Sequence, residues 1–264
     1  MAQADPPAPG PGEPSSARIH NYLTGGWNFT AADQVKAAEL EEICPPIRQM
    51  GADSRLFTAR AVSWAAADAG ICQFIDLGAG LPPGEAVHDM ARAVRPGARV
   101  AYVDRDPEVC DFIRDVTLGG GRDGVAVLGA DLRDPAAVMS DPGLRAVIDP
   151  AEPVCLVMAM VLHFVPGAPA QALIREYARH LAPGSLIAVS VPHMADEAMW
   201  RRLRPANPDF AWNHDRDDLE RFLGGLDLVP PGVRAAFSLR PAQWEAAGCR
   251  KAAAYVLAGI GRKP

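Results

Sequence analysis

The stretch QFIDLGAG, residues 73–80, indicates the fold class of this chain. A strand-like, largely apolar run leads directly into glycines at positions 78 and 80. Glycines placed there let a ligand approach the backbone at the carboxyl edge of a parallel sheet. Because a Gly-x-Gly pair is a weak signal by itself, the surrounding sequence has to identify the ligand.

Apolar runs alternate with helical segments after this stretch. Four are continuous enough for strands buried on both faces: ARVAYVD (98–104), VAVLGAD (125–131), PVCLVMAMVLHF (153–164) and SLIAVSV (185–191). Two more strand-like runs lie near 233–239 and 252–260, which makes about seven strands in all. The alternation predicts an α/β domain with a mainly parallel sheet and helices on both faces.

Helical patterns precede the sheet, over about 31–43 and 54–69, with Gly70 as a natural C-cap of the second; a further helix is predicted near 219–223. Residues 1–16 are dominated by Pro, Ala and Gly and have neither the basic start nor the apolar run of a signal peptide. We therefore expect a disordered tail over 1–16, a helical segment over 17–70 and a sheet-forming core over 71–264.

Composition narrows the function classes. A chain of 264 residues with 49% hydrophobic and 22% charged residues suits one domain with a substantial core. The net charge of −6 leaves no basic excess for a phosphate backbone, so we expect no nucleic-acid partner. The longest apolar stretch, 154–162, is far shorter than the roughly 20 residues that span a bilayer, so no membrane segment is expected. Five cysteines without a CxxC pair suit the reducing cytoplasm.

The residues after the glycines disfavour a nucleotide phosphate. A dinucleotide-binding turn has the pattern G-x-G-x-x-G, but here the third glycine position is Pro83, preceded by Pro82. Proline has no backbone N–H, so two donors are missing where a pyrophosphate would need them. A nicotinamide-dependent oxidoreductase is accordingly disfavoured, and the ligand should lack a phosphate.

Three successive strands each end in an aspartate: Asp76, Asp104 and Asp131. Asp76 can attract an ammonium or sulfonium group, and Asp104 can accept from both ribose hydroxyls. Asp131 can accept from the adenine amino group while the Leu132 backbone N–H meets a ring nitrogen. A single such aspartate is often only a turn former or cap, the role we assign to Asp106 and Asp134. The set of three with Gly-x-Gly instead describes S-adenosylmethionine.

Several motifs occur in a characteristic order: FIDLGAGLP, YVDRDP, ADLRDP, VLHFVP, LAPGS and GIGRKP, with ARIHNYLTGG upstream at 17–26. Together they resemble an actinobacterial family of S-adenosylmethionine-dependent methyltransferases, formerly a domain of unknown function, over about 17–264. The resemblance implies the class I methyltransferase fold. That fold is Rossmann-like, with a seven-stranded mixed sheet, an antiparallel last strand and N-terminal helices that form a lid over the cofactor.

The resemblance also implies roles for individual residues. The methionine end of the cofactor would lie at Asp76, Gly78 and Gly80, the ribose at Asp104, and the adenine at Asp131 and Leu132. The remaining predicted cofactor positions lie beside these or on the lid: Arg105, Ala159, Tyr22, Gly25 and Gly26.

Two departures from the family lie on the predicted lid. Trp27-Asn28-Phe29-Thr30 stands where a Lys-Asp-Asn-Phe-like string is usual, and Asp53-Ser54 stands where Asn-Arg is usual. Both bear on the substrate pocket more than on the cofactor site.

Methyl transfer from a sulfonium needs alignment, exclusion of water and, for an O–H or N–H acceptor, removal of a proton. His163, just after the fourth strand, is a candidate general base, and His193 after the fifth strand is a second. The alternative is that His163 packs or caps the following turn, which we favour because the family shares this histidine irrespective of substrate.

Further side chains can shape the acceptor pocket, although aromatic residues more often serve as plain packing. They are Trp27, Phe29, Trp200, Phe210 and Trp212, with His20 from the lid and His214 from the C-terminal insert. No His, Cys or Asp cluster has metal-ligand spacing, so we predict no metal.

The sequence thus predicts an S-adenosylmethionine-dependent methyltransferase that acts on a small molecule in secondary metabolism. Two alternatives keep the cofactor. One is a cyclase or aminocarboxypropyl transferase that attacks another carbon of the sulfonium, and the other is a non-catalytic S-adenosylmethionine-binding protein. The acceptor and the oligomeric state are left open.

Overall fold

The computed structural model describes residues 12–118, 123–207, 210–236 and 255–264. Eight strands form one mixed sheet in this part of the chain. They are β1 Gln73–Leu77, β2 Arg99–Asp104, β3 Val125–Gly129, β4 Cys155–Ala159, β5 Leu186–Pro192, β6 Asp227–Leu228, β7 Arg234–Ala235 and β8 Val256–Arg262. The strand order is β3-β2-β1-β4-β5-β8-β6, and β7 also pairs with β8.

The first five strands are parallel and β8 is antiparallel, which confirms the predicted mixed sheet. Strand β8 pairs with β5 from Leu186–Arg262 to Pro192–Val256. The extra strand relative to the sequence prediction is β6, a two-residue pairing with the other edge of β8. The predicted run over 233–239 contains β7, and its residues 237–239 lie outside the described part of the chain.

Ten helices cover the faces of the sheet in the described residues. They are α1 Ser16–Leu23, α2 Ala31–Ile43, α3 Ile47–Ala67, α4 Val87–Val94, α5 Pro107–Leu118, α6 Pro135–Ser140, α7 Pro142–Val147, α8 Gly167–His180, α9 Glu197–Ala206 and α10 Arg216–Phe222. The helix predicted over 31–43 is confirmed as α2. The one predicted over 54–69 begins seven residues earlier, at Ile47 of α3.

Two hydrophobic cores lie on opposite faces of the sheet. Phe74 of β1 packs in one core with Phe57 of α3, and Ile75 of β1 packs in the other with Ile174 of α8. Successive strand side chains point to opposite faces, so Asp76 shares the face of Phe74 and α3. The fold thereby places α3 next to the carboxylate at the end of β1.

The N-terminal helices are joined by a buried ion pair. Asp33 of α2 accepts from the Thr30 backbone in a capping box and also from Arg18 Nε of α1 at 2.8 Å. Ser15 caps α1 through its side chain, and residues 1–11 of the predicted tail lie outside the described residues. Within the described ranges, no helix has the length and apolar character needed to cross a membrane.

Candidate functional site

The glycine turn follows β1 at the carboxyl edge of the sheet. Gly78 has φ +68° and donates its N–H to Val103 O at 2.8 Å. A Cβ atom at position 78 would lie 2.4 Å from Val161 Cγ1, so only glycine fits against the loop after β4. A Cβ atom at Gly80 would meet no atom within 4 Å. The turn therefore packs closely on one side and leaves room for a ligand on the other.

Asp104 connects the end of β2 to this turn. Its Oδ2 accepts from the Gly80 N–H at 2.9 Å, and its Oδ1 accepts from the Asp106 N–H at 3.0 Å. Burial raises the pKa of Asp104, and these backbone donors partly oppose that shift. Each carboxylate oxygen keeps a further lone pair, which is what two ribose hydroxyls would need.

Asp131 lies two residues beyond β3, next along the same edge. It is ion-paired with Arg133, whose Nε lies 2.9 Å from Oδ1, and this pairing lowers the pKa of Asp131. The exposed Arg105 adds a favourable charge interaction. The adjacent Leu132 is held by its carbonyl, which accepts from Tyr177 Oη at 2.7 Å. A ligand at Asp131 would share this carboxylate with Arg133.

Asp76 has the most unusual environment of the three aspartates. Within the described residues no hydrogen bond reaches its carboxylate, which is buried at the end of β1. Burial, followed by the negative charge of Asp104, raises the pKa of Asp76 to about 7, while the positive charge of Arg55 lowers it. A buried, unpaired carboxylate of this kind favours a cationic partner.

Arg55 is a site residue that the sequence analysis missed. It lies on α3, donates Nη2 to Glu85 O at 2.8 Å and interacts with the charge of Asp76. The signal available in the sequence was its place directly after the Asp53-Ser54 pair, on a segment predicted to form the lid. Asp76 and Arg55 together present both charges that an amino-acid group requires.

His163 lies in a single 3₁₀ turn, Leu162–Phe164, which begins three residues after β4. Its side chain is buried, and Nδ1 has no hydrogen-bond partner in the described chain. Burial, followed by the positive charges of His214 and His20, lowers the pKa of His163 to about 3. The imidazole is therefore neutral at physiological pH.

His193, the second candidate base, and His214, a predicted pocket residue, both lie near this turn with a ring nitrogen at a backbone carbonyl. His193 Nδ1 lies 3.0 Å from His214 O, and His214 Nε2 lies 3.0 Å from Leu162 O. A carbonyl only accepts, so both of these ring nitrogens carry a proton. His214, in the segment between α9 and α10, thus bonds this segment to the 3₁₀ turn. With Nδ1 of His193 carrying the proton, its Nε2 can act as a proton acceptor.

The aromatic residues predicted for one pocket divide into two groups. Phe210 contacts both Trp200 and His163, with ring centroids 5.6 and 4.6 Å away, and the Trp212 N–H donates to His163 O at 3.0 Å. The other two lie with the N-terminal segment: Trp27 contacts Phe112 of α5 at 5.4 Å, and Phe29 contacts Tyr22 at 4.9 Å.

The Gly25-Gly26 pair ends α1. Gly25 has φ +85° and donates to Tyr22 O, while Gly26 donates to Asn21 O, the two bonds of a Schellman motif. Asn21, which faces the Gly26 Cα, also donates Nδ2 to Leu81 O at 3.2 Å. The ring of Tyr22 lies under the guanidinium of Arg48, 4.8 Å away. Asn21 is therefore the α1 side chain that contacts the loop after β1.

The comparison with protein families identifies the family of this chain. A family model described as S-adenosyl methyltransferase matches residues 10–264. The chain belongs to the S-adenosyl methyltransferase family. It is an S-adenosylmethionine-dependent methyltransferase, and S-adenosylmethionine is its cofactor.

Solved structures agree with this family. A candidate methyltransferase from Thermobifida fusca is 30% identical with a TM-score of 0.87, and 95% of each chain is covered. A DUF574 family protein from Streptomyces avermitilis is 29% identical with a TM-score of 0.87, covering 96% of this methyltransferase and 98% of that chain. The mitomycin 7-O-methyltransferase MmcR, at 19% identity, a TM-score of 0.51 and coverage of 94% and 68%, shares the fold alone. No curated protein matches the sequence.

The residues of this S-adenosyl methyltransferase fit its cofactor. The cofactor is a nucleoside with a cationic sulfonium and no phosphate. Asp76 offers a buried, unpartnered carboxylate, and the turn at Gly80 leaves space beside it. Among the described residues, no group of three His, Cys, Asp or Glu side chains could hold a metal ion.

Proposed function

We propose that this S-adenosyl methyltransferase methylates a small molecule of secondary metabolism. The observation that most supports the proposal is the burial of His163. The residue is 6% exposed. The loop after β1, whose Gly78 packs against Val161 just before His163, is bonded to Asn21 of α1. A protein or nucleic-acid acceptor would need an open surface at His163. The assignment to secondary metabolism is supported by the resemblance to an actinobacterial family.

The proposed cofactor site extends along the edge formed by β1, β2 and β3. Asp76 and the Gly78–Gly80 turn face the methionine end, where Arg55 is available for the carboxylate. Asp104 faces the ribose, with Arg105 beside it. Asp131 and the Leu132 backbone face the adenine. Tyr22, Gly25, Gly26 and Ala159 remain predicted contacts from the lid and from the end of β4.

The bound cofactor supplies a methyl group on a sulfonium, which is already activated for displacement. The protein's own task is to align the acceptor, exclude water and receive a proton where the acceptor is O–H or N–H. His163 is neutral and its Nδ1 has no hydrogen-bond partner in the described residues, so this atom can accept a hydrogen bond from the acceptor's O–H or N–H. Because burial lowers the pKa of His163 to about 3, the imidazole is a weak base and suits orienting the acceptor better than holding its proton. His193 is the second candidate through Nε2.

We also propose that residues 17–70 form a lid. The support is a set of contacts between this segment and the cofactor edge. Arg18, buried in α1, pairs with Asp33 and with Glu108 at the start of α5, which follows Asp104. Trp27 packs on Phe112 of the same helix.

Product analysis tests the proposed reaction. The purified protein is incubated with S-adenosylmethionine and a library of small hydroxylated and amino compounds, and the nucleoside products are separated by chromatography. S-adenosylhomocysteine is expected, at a rate that Asp76→Asn greatly lowers. Methylthioadenosine would instead identify a cyclase or aminocarboxypropyl transferase, and binding without any turnover would identify a sensor.

A further inference from the structure

We infer that the acceptor is a planar hydroxyarene that packs against an aromatic layer and places its hydroxyl at Nδ1 of His163. The aromatic layer is defined by the rings of Phe164, His163, Phe210 and Trp200. This inference rests on the proposed function, because it names the substrate class of the same site.

The aromatic layer is continuous, and its rings pack against one another at tilted angles. The His163 ring lies 4.0 Å from Phe164 with an interplanar angle of 40°, and 4.6 Å from Phe210 with an angle of 32°. Trp200 extends the layer beyond Phe210. Offset aromatic pairs at such separations are favourable beyond the burial of their area. A flat ring can extend this layer, whereas a saturated ring cannot.

The layer reaches the surface at Phe164, which is 40% exposed. Trp212, which is 42% exposed, donates its backbone N–H to the His163 carbonyl and so adjoins the same turn. Phe164 therefore offers an exposed apolar ring next to the buried histidine. A bound aromatic ring would cover this ring and remove its apolar surface from water.

The position of this layer suits an acceptor of the transferred methyl. Val161, two residues before His163, contacts Gly78 of the glycine turn. The 3₁₀ turn therefore adjoins the turn that faces the methionine end of the cofactor. An acceptor on the layer would lie at the same edge of the sheet as the donor.

Nδ1 of His163 indicates a hydrogen-bonding group on the ligand. It is a buried polar atom without a partner in the described residues, and such atoms are rare because their desolvation is uncompensated. A ligand hydroxyl would supply the missing partner. Apart from Nδ1, the rings of the layer have only two nitrogen atoms, Nε2 of His163 and the indole nitrogen of Trp200, so one polar group on a flat apolar ring matches their chemistry.

The groups that act on the charge of His163 in the described chain include no carboxylate. They are His214 and His20. Asp218 lies 3.8 Å from Nδ1 of His214, whose Nε2 faces Leu162 O. An uncharged donor such as a hydroxyl therefore suits Nδ1 of His163. A phenolic hydroxyl, with a pKa of about 10, loses its proton more readily than an aliphatic alcohol and so depends less on a strong base.

The test compares 2-naphthol with decahydro-2-naphthol, which has the same carbon skeleton and hydroxyl position but no aromatic ring. Binding is measured by calorimetry on the full chain, with and without S-adenosylhomocysteine, and methylation is measured with S-adenosylmethionine. We expect 2-naphthol to bind at least tenfold more tightly than its saturated analogue and to be the one methylated. Equal affinities, or no binding of 2-naphthol, would overturn the inference.

Two substitutions test the contribution of the aromatic ring and that of the hydrogen bond separately. His163→Phe keeps a ring in the layer and removes Nδ1, so it should preserve the unfolding temperature and S-adenosylmethionine affinity. The same variant should weaken 2-naphthol binding at least tenfold and lower turnover by about 10²–10⁴. Phe164→Leu should weaken 2-naphthol binding severalfold, and the matched control Phe164→Tyr should not. Unchanged 2-naphthol binding and turnover in His163→Phe would show that Nδ1 has no role.

Failure of the inference is distinguishable from failure of the proposed function. Loss of S-adenosylmethionine binding in the wild type would contradict the cofactor site, whatever 2-naphthol does. Tight cofactor binding with indifference between the two naphthols would contradict the acceptor class alone.

Discussion

At the residue scale, Asp76 links folding to pH. Its pKa is about 7 in the folded protein against an ordinary value of 3.8. At a pH between these two values, Asp76 is therefore largely protonated in the folded state and ionised in the unfolded state. The free energy of unfolding of the cofactor-free protein should therefore fall as pH rises through this window. Urea unfolding at a series of pH values measures this pH dependence of the free energy of unfolding. Asp76→Asn should remove this component, whereas Asp141→Asn, at a helix N-cap remote from the site, should retain it.

The same carboxylate should make cofactor affinity depend on pH. A sulfonium or ammonium group favours ionised Asp76, so binding must release a proton below about pH 7. The affinity for S-adenosylmethionine should rise by up to about tenfold per pH unit until that point and then level off. Calorimetry in buffers of different ionisation enthalpy detects the released proton. A pH-independent affinity, or one that falls with rising pH, would contradict the role of Asp76.

Asp104 should contribute to cofactor binding directly and through the glycine turn. Asp104→Ala removes an ionised acceptor for the ribose and leaves the Gly80 N–H without its partner. We expect S-adenosylmethionine binding to weaken by about 1.5–3 kcal/mol. Asp104→Asn should cost less, because its amide oxygen can still accept from Gly80. Wild-type affinity in Asp104→Ala, measured by calorimetry, would remove this residue from the site.

At the scale of elements, the proposed lid is bonded to the loop after β1 from α1, through Asn21, and from α3, through Arg55. Deleting residues 1–12 should leave cofactor affinity unchanged, because Ser15 and the Arg18 ion pairs remain. Deleting residues 1–30 removes Asn21 and its bond to Leu81, and should abolish cofactor affinity while the sheet stays folded. Calorimetry measures the affinity and circular dichroism checks the fold. Retained affinity in the longer deletion would place the cofactor away from α1.

The elements differ in how well the sequence predicts them. Helix α2 agrees with the predicted helix over about 31–43, and the capping box that the structure shows at its start is formed by residues close in the sequence. Helix α3 was predicted to start too late. It includes Gly51, which disfavours a helix interior, yet a Cβ atom at this position would lie 2.5 Å from Thr24 Cγ2. The close packing of α1 on α3, which no local pattern shows, explains the glycine.

At the scale of the whole molecule, cofactor binding should stabilise the fold. A ligand that binds only the native state adds about 2.7 kcal/mol at a concentration of about 100 Kd. S-adenosylmethionine at that ratio should raise the unfolding temperature by several degrees, and NADH should leave it unchanged because Pro82 and Pro83 lack the donors for a pyrophosphate. Differential scanning calorimetry gives both values. A shift with NADH alone would contradict the cofactor assignment.

The antiparallel last strand followed from the resemblance to the family. The parallel sheet and the edge that carries Asp76, Asp104 and Asp131 were determined by the sequence itself. Those features depend on local signals, namely apolar runs, turn residues and carboxylates at strand ends. Only the tertiary structure brought the charge of Arg55 within range of Asp76, because that interaction depends on which side of α3 faces the sheet. It also isolated His163 Nδ1 between two aromatic rings, one of them 47 residues away in the chain at Phe210. Contacts between distant segments follow from packing, and packing is absent from any local pattern.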